Sequence, residues 1–149
     1  MIVDTKYSGE LEIDENEIIF FNTGLPGFPG ETKFLLIDFP DNPVFQILQS
    51  VQTPTTAFIV TNPYYIYQDY EFDLDKNIIE QLNIQSEKEV VVLSIVTVKD
   101  PFQDSTLNLK APIILNPARK LAKQYILTEE IYQVKTPLNP NIKSNIGGR

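Results

Sequence analysis

Carboxylates, tyrosines and lysines are the side chains of this chain that could do chemistry, because neither histidine nor cysteine is present. Histidine is the commonest proton shuttle and metal ligand near neutral pH, so Ser-His-Asp catalysis, Cys-His catalysis and ordinary zinc sites are excluded. A hydrolase of sugar or phosphate esters can still be built from carboxylates, and it stays as an alternative. The composition favours a protein that is not an enzyme and needs no cofactor or metal.

A first group of carboxylates lies near the amino terminus. Its members are Glu10, Glu12, Asp14, Glu15 and Glu17. Leu11 and Ile13 alternate with them, as expected for a strand with one face toward the core and one toward water. This alternation favours a solvated strand face over a catalytic or calcium site. A row of fixed carboxylates is also suited to docking a cation-rich partner.

A second candidate is the loop of residues 24–30, which contains three glycines and two prolines. It lacks the Lys-Ser/Thr pair that follows a phosphate-binding loop, so a nucleotide role is not expected. Its large apolar residues are Leu25 and Phe28. Either they fill the end of a barrel, since large apolar side chains are commonly buried, or they anchor a partner protein.

A third candidate combines tyrosines with acids. Its members are Tyr64, Tyr65, Tyr67, Asp69, Tyr70, Glu71 and Asp73. Acids between aromatic rings repel nucleic acid, whereas tyrosines beside acids suit a partner that presents arginine, lysine or backbone amides. Alternatively, some of the rings cover a helix and a sheet edge. The predicted partner-binding residues are Leu25, Phe28, Tyr67, Asp69, Tyr70, Glu71 and Asp73.

The charge distribution favours a basic protein partner. The formal net charge is −8 and the pI is about 4.5, which opposes binding to phosphate backbones or anionic lipids. One basic group could touch phosphate: Lys110, Arg119, Lys120 and Lys123. It is too small to support strong salt-dependent affinity, so no direct nucleic-acid binding is expected.

The elements that must position these residues are mostly strands. Short apolar, β-favouring runs recur with Gly, Pro and Asn between them, which indicates a sandwich or barrel. The longest such run, residues 89–98, is apolar on both faces and is predicted to be central. Residues 112–115 and 123–127 are predicted to pair through a hairpin-like connection.

Helical spacing is clear in one place. Leu74, Ile78 and Leu82 recur every four residues, and Asp73 is the predicted N-cap. These positions predict one short helix over residues 74–83. A second helical turn after Pro63 is left open.

The predicted fold is a mainly β, small antiparallel barrel or sandwich-like single domain over residues 1–138, with a loose tail over residues 139–149. No apolar run approaches the roughly 18 residues needed to cross a bilayer, and the first residues do not resemble a secretion signal. We therefore expect a cytoplasmic protein that does not bind membranes and is a monomer by itself.

Several segments occur in a characteristic order. They are Gly24-Leu-Pro-Gly-Phe28, Phe45-Gln-Ile-Leu-Gln-Ser50 with Pro54, Ala57-Phe-Ile-Val before Asn62-Pro63, Asp69-Tyr70, Leu107-Asn-Leu-Lys-Ala-Pro-Ile-Ile-Leu-Asn116 and Lys123-Gln124. No single segment is specific. In this order, and at matching intervals over about residues 1–138, they resemble the FliW family of flagellar assembly factors.

The resemblance implies a binding role. Proteins of this family bind flagellin in the cytoplasm, and they bind the RNA-binding repressor CsrA, which relieves its block on flagellin synthesis. Free flagellin competes for the factor, so the implied mechanism is partner exchange. Whether the antagonism is steric, electrostatic or allosteric is left open, and a flagellin chaperone without a regulatory partner is a further alternative.

Overall fold

Short strands, one α-helix and four three-residue 3-10 helices make up the regular structure of residues 1–140, which are the residues that the computed structural model describes. The strands are β1 (Ile2–Asp4), β2 (Glu10–Glu12), β3 (Ile19–Phe20), β4 (Lys33–Asp38), β5 (Phe45–Ser50), β6 (Ala57–Thr61), β7 (Val91–Thr97), β8 (Thr106–Leu107), β9 (Ile113–Asn116), β10 (Leu121–Gln124) and β11 (Thr136–Pro137). The helix, α1, is Lys76–Gln81. In this part of the chain no helix is long and apolar enough to cross a membrane.

Seven of the strands close into a barrel, in the order β7-β6-β5-β4-β3-β10-β9 and back to β7. Strand β7 is central, as predicted. One of its edges pairs with β6, and the other pairs with β9 along its first half and with β8 along its second half. The predicted mainly β, barrel-like fold with one short helix is therefore confirmed.

One strand pair departs from the antiparallel prediction. Strands β3 and β10 pair in parallel, with Phe20 opposite Leu121, and Phe20 N–H donates to the Lys120 carbonyl at 2.8 Å. The other pairs in the described residues are antiparallel. The hydrophobic pattern of a strand does not record its direction relative to a strand far away in sequence, so the parallel closure could not be predicted.

The barrel interior is a packed apolar core. Its buried members are Ile19, Phe21, Leu25, Phe34, Leu48, Val60, Leu93, Ile113, Leu115 and Ala122. Every barrel strand contributes, because alternate side chains of each strand point to the same face. Across the β4-β5-β6 meander, for example, Leu48 lies opposite both Leu36 and Phe58, and those two side chains pack against the same cluster.

Three further clusters lie outside this core. Val3 of the β1-β2 hairpin packs with Ile18 and Leu35. Ile78 of α1 and its C-cap residue Leu82 pack on Ile114 of β9. The third cluster joins residues 64–73, which we call the tyrosine segment, to β7, β8 and the chain after β10. Its buried members are Tyr70, Val96, Leu107, Leu109, Leu127 and Leu138.

The helix is shorter than predicted, and its N-cap was predicted wrongly. Helix α1 covers Lys76–Gln81 rather than residues 74–83, and its N-cap is Asp75, whose Oδ1 accepts from Ile78 N–H at 2.9 Å. Leu74 packs against the same cluster as Ile78 without being helical, so the apolar repeat is longer than the helix. Asn83 follows the helix at a φ of 55°, a left-handed conformation that ends it.

The structure also fixes the bounds of two other elements. The turn left open after Pro63 is a single 3-10 turn, Pro63–Tyr65, capped by Asn62 Oδ1, which accepts from Tyr64 N–H at 2.9 Å. The β9-β10 hairpin is confirmed, but its second strand is Leu121–Gln124 rather than residues 123–127. Most of the predicted loose tail, residues 141–149, lies outside the described residues.

Candidate partner-binding surface

The loop of residues 24–30 divides its two apolar residues between the core and the surface. Leu25 is 3% exposed and belongs to the barrel interior. Phe28 is 41% exposed and packs edge-on against Phe58, with ring centroids 5.5 Å apart. Of the two residues predicted in this loop, Phe28 is therefore the one that a partner could reach in this conformation.

Gly24 makes this loop geometry achievable. Its φ is +70°, and a Cβ at this position would lie 2.6 Å from the Pro29 carbonyl oxygen and 2.7 Å from that of Phe28. The loop is closed by Phe28 N–H, which donates to the Leu25 carbonyl at 2.7 Å. Only glycine combines the left-handed conformation with such a close approach of backbone.

Both of the predicted partner-binding tyrosines, Tyr67 and Tyr70, position the segment of residues 64–73. Tyr70 is 4% exposed, and its hydroxyl donates to the Leu109 carbonyl at 2.7 Å. The half-buried Tyr67 donates to the Pro137 carbonyl at 2.6 Å. Burial raises the pKa of both phenols, so they remain neutral donors. Their structural role matches the alternative in which some rings cover the sheet edge.

The acids of this segment are exposed, and the backbone that carries them is held in place. The Tyr132 hydroxyl accepts from Glu71 N–H at 2.9 Å and donates to the Glu71 carbonyl at 2.8 Å. The Tyr132 ring also meets Tyr70 edge-on at 4.7 Å. Asp69, Glu71 and Asp73 are all exposed. Burial, the Tyr132 hydroxyl and the Glu71 carboxylate together raise the pKa of Tyr64.

Glu71 and Asp73 border a groove of about 660 Å³ between this segment, α1 and the chain leading into β7. We call it the acidic groove. It is lined by Tyr64, Glu71, Phe72, Asp73, Leu74, Ile79, Ile84, Gln85, Ser86, Glu87, Val90 and Val92. Sequence reasoning missed the contribution of residues 79–92. Ile79 could have indicated an exposed apolar site, because it lies outside the stripe of Leu74, Ile78 and Leu82 on an otherwise polar helix surface.

The remaining predicted residues occupy other places. Phe28 packs beside the barrel interior, whereas the tyrosine segment belongs to a different cluster. Glu10 and Glu12 are exposed on β2, in the separate two-stranded sheet formed with β1. Within the described residues, no group of three or more acidic side chains is arranged to hold a metal ion.

Comparison with known proteins identifies the family. The model of the FliW family, described as "FliW protein", matches residues 2–138. The chain is 44% identical to the "Flagellar assembly factor FliW" of Oceanobacillus iheyensis, with 96% of this chain and 98% of the relative covered. It is 42% identical to the protein of the same name from Bacillus subtilis, with 93% and 96% covered.

A solved structure agrees with these relatives in both sequence and fold. It is titled "Crystal structure of the flagellar assembly factor FliW", and it superposes with a TM-score of 0.90 at 44% identity, covering 94% of this chain and 98% of that one. The family model, the relatives and the fold thus agree over nearly the whole chain. This chain belongs to the FliW family.

Proposed function

We propose that this protein is a cytoplasmic flagellar assembly factor that acts by binding other proteins. It binds flagellin, and when free of flagellin it binds CsrA and prevents that repressor from blocking flagellin synthesis. In this proposal it is not an enzyme and does not bind nucleic acid directly.

The observation that carries the proposal is the near full-length match to proteins named flagellar assembly factor FliW, including a structure with a TM-score of 0.90. The net charge of −8 supports a basic partner such as an RNA-binding repressor. Flagellin and CsrA themselves come from the family resemblance.

Copurification tests the proposal. The folded protein is mixed separately with flagellin and with CsrA at micromolar concentrations, and a complex is expected in each case. Binding to neither would overturn the proposal. Binding to flagellin alone would favour a chaperone without a regulatory partner.

Partner exchange is tested by adding flagellin to a preformed complex with CsrA. Release of CsrA in proportion to the added flagellin is expected, because exclusive binding couples the two equilibria. A stable complex of all three proteins would contradict the competition.

A further inference from the structure

The floor of the acidic groove is apolar and supported from below. Phe72, Ile84 and Val90 are partly buried, and they pack against the cluster of Ile78, Leu82 and Ile114. Ile79 remains 37% exposed at the groove. The groove therefore offers exposed apolar surface, and the residues beneath it are packed between α1 and the barrel.

The rim of the groove is negative. Glu71, Asp73 and Glu87 line it and are exposed. The described residues that line the groove include no lysine or arginine. Lys88 is adjacent in sequence to Glu87 but is not among them. An apolar floor with carboxylates around it selects for a ligand that carries apolar side chains and positive charge.

We propose that the acidic groove is a docking site for a partner protein segment that carries apolar side chains flanked by lysine or arginine. The inference rests on the proposed function and assigns the groove to its basic partner, CsrA. The apolar side chains of the segment bury against Ile79 and the floor, which slows dissociation. Its basic side chains face Glu71, Asp73 and Glu87, which speeds association.

Charge decides between this occupant and the others. Phosphates of a nucleic acid would meet the carboxylates of the rim and be repelled. A second copy of the chain carries its own net charge of −8, which opposes self-association. A protein segment with both apolar and basic side chains complements the apolar floor and the negative rim.

The rim is tested by measuring association with purified CsrA at low and high salt. The test variant combines Glu71→Gln, Asp73→Asn and Glu87→Gln. The matched control combines Glu10→Gln, Glu12→Gln and Glu15→Gln, which removes the same number of exposed charges from the amino-terminal region. We expect the groove variant to associate about tenfold more slowly at low salt and to lose most of its salt dependence. The control should change the rate less than about twofold.

The floor is tested with Ile79→Ser, compared with Ile2→Ser in the β1-β2 hairpin. Ile2 is 67% exposed, so both substitutions remove an exposed apolar side chain. Ile79→Ser is expected to speed dissociation of CsrA about five- to tenfold, because an apolar anchor at an interface contributes mainly to the dissociation rate. Ile2→Ser should leave it unchanged. Thermal unfolding of each variant verifies that the fold is retained.

The outcomes separate the two proposals. If the unmodified protein binds CsrA and the groove variants match their controls, the groove assignment is overturned while the proposed function stands. If the groove variants impair flagellin binding but not CsrA binding, the assignment to the basic partner is overturned. If the unmodified protein binds neither, the proposed function fails and the groove assignment fails with it.

Discussion

At the scale of single residues, two glycines of the same loop differ in what surrounds them. Gly24 and Gly27 both have positive φ, at +70° and +83°, but only at Gly24 do backbone atoms lie as close as 2.6 Å to the position that a Cβ would take. Gly24→Ala should therefore lower the free energy of unfolding by at least about 2 kcal/mol, from the left-handed conformation and the clash together.

Gly27→Ala is the matched control. Alanine at this position has the cost of the left-handed conformation but no clash, so we expect the free energy of unfolding to fall by about 1 kcal/mol. Chemical denaturation of both variants measures the difference. Equal losses would show that the loop adjusts around Gly24.

Tyr70 is a second residue with a testable role. Its buried hydroxyl donates to the Leu109 carbonyl, and Tyr70→Phe would leave that acceptor without this donor. We expect a loss of about 1–3 kcal/mol in the free energy of unfolding. Tyr65→Phe, at an exposed ring, should change it by less than about 0.5 kcal/mol. Equal changes in the free energy of unfolding of the two variants would contradict a stabilising role for the Tyr70 hydroxyl.

Burial raises the pKa of Tyr70, and this has a consequence at alkaline pH. Below pH about 10 the Tyr70 phenol is protonated in both the folded and the unfolded protein. Above pH about 10 the unfolded chain releases this proton, while the buried hydroxyl of the folded protein retains it. The free energy of unfolding should therefore fall above pH about 10, by up to about 1.4 kcal/mol per pH unit from this group.

Denaturation curves between about pH 9 and about pH 11, roughly one unit below and one unit above the ordinary tyrosine pKa, measure this slope. Tyr70→Phe should reduce it without abolishing it, since burial also raises the pKa of Tyr64, Tyr67 and Tyr125. An unchanged slope would mean that Tyr70 does not contribute.

At the scale of elements, helix α1 begins at a different N-cap from the predicted Asp73. Asp75 accepts from Ile78 N–H, whereas Asp73 is exposed before the helix. Asp75→Ala should cost about 1 kcal/mol of stability, and Asp73→Ala less than about 0.5 kcal/mol. Urea denaturation of the two variants compares them. A larger effect at Asp73 would contradict the observed helix start.

A buried polar side chain of the β9-β10 hairpin hydrogen-bonds to the chain at the end of α1. Asn116 is fully buried, and its Nδ2 donates to the Leu82 carbonyl at 2.8 Å and to the Asn83 carbonyl at 3.2 Å. The hairpin thus satisfies carbonyls at the end of the helix. The sequence indicated the turn at this position, but not that its asparagine reaches the helix.

At the scale of the whole molecule, stability is expected to vary between the barrel and the amino-terminal hairpin. Strand β7 pairs with β6, β8 and β9, whereas β1 and β2 form their own two-stranded sheet. A two-stranded hairpin is marginal by itself. Amide hydrogens of β7 should therefore exchange only through global unfolding, and those of β1 and β2 through local opening.

Native-state hydrogen exchange measures this difference. The free energy of opening for the amides of β1 and β2 should lie at least about 2 kcal/mol below that for β7. Equal protection would show that the hairpin and the barrel unfold as one unit.

The sequence by itself determined the features that depend on near neighbours. Strand alternation around Leu11, the single helical repeat, the hairpin after β9 and the central run that became β7 each follow from spacings of a few residues. The absence of histidine and cysteine restricted the available chemistry. The order of short segments along the chain also carried the family resemblance.

Only the tertiary structure decided the features that join distant residues. They include the parallel closure of Phe20 on Leu121 and the hydrogen bond from Tyr70 to Leu109, 39 residues away. The acidic groove, whose lining extends from Tyr64 to Val92, was decided in the same way. Burial and pairing depend on which surfaces meet after the chain folds, and local patterns specify only which surfaces must be covered.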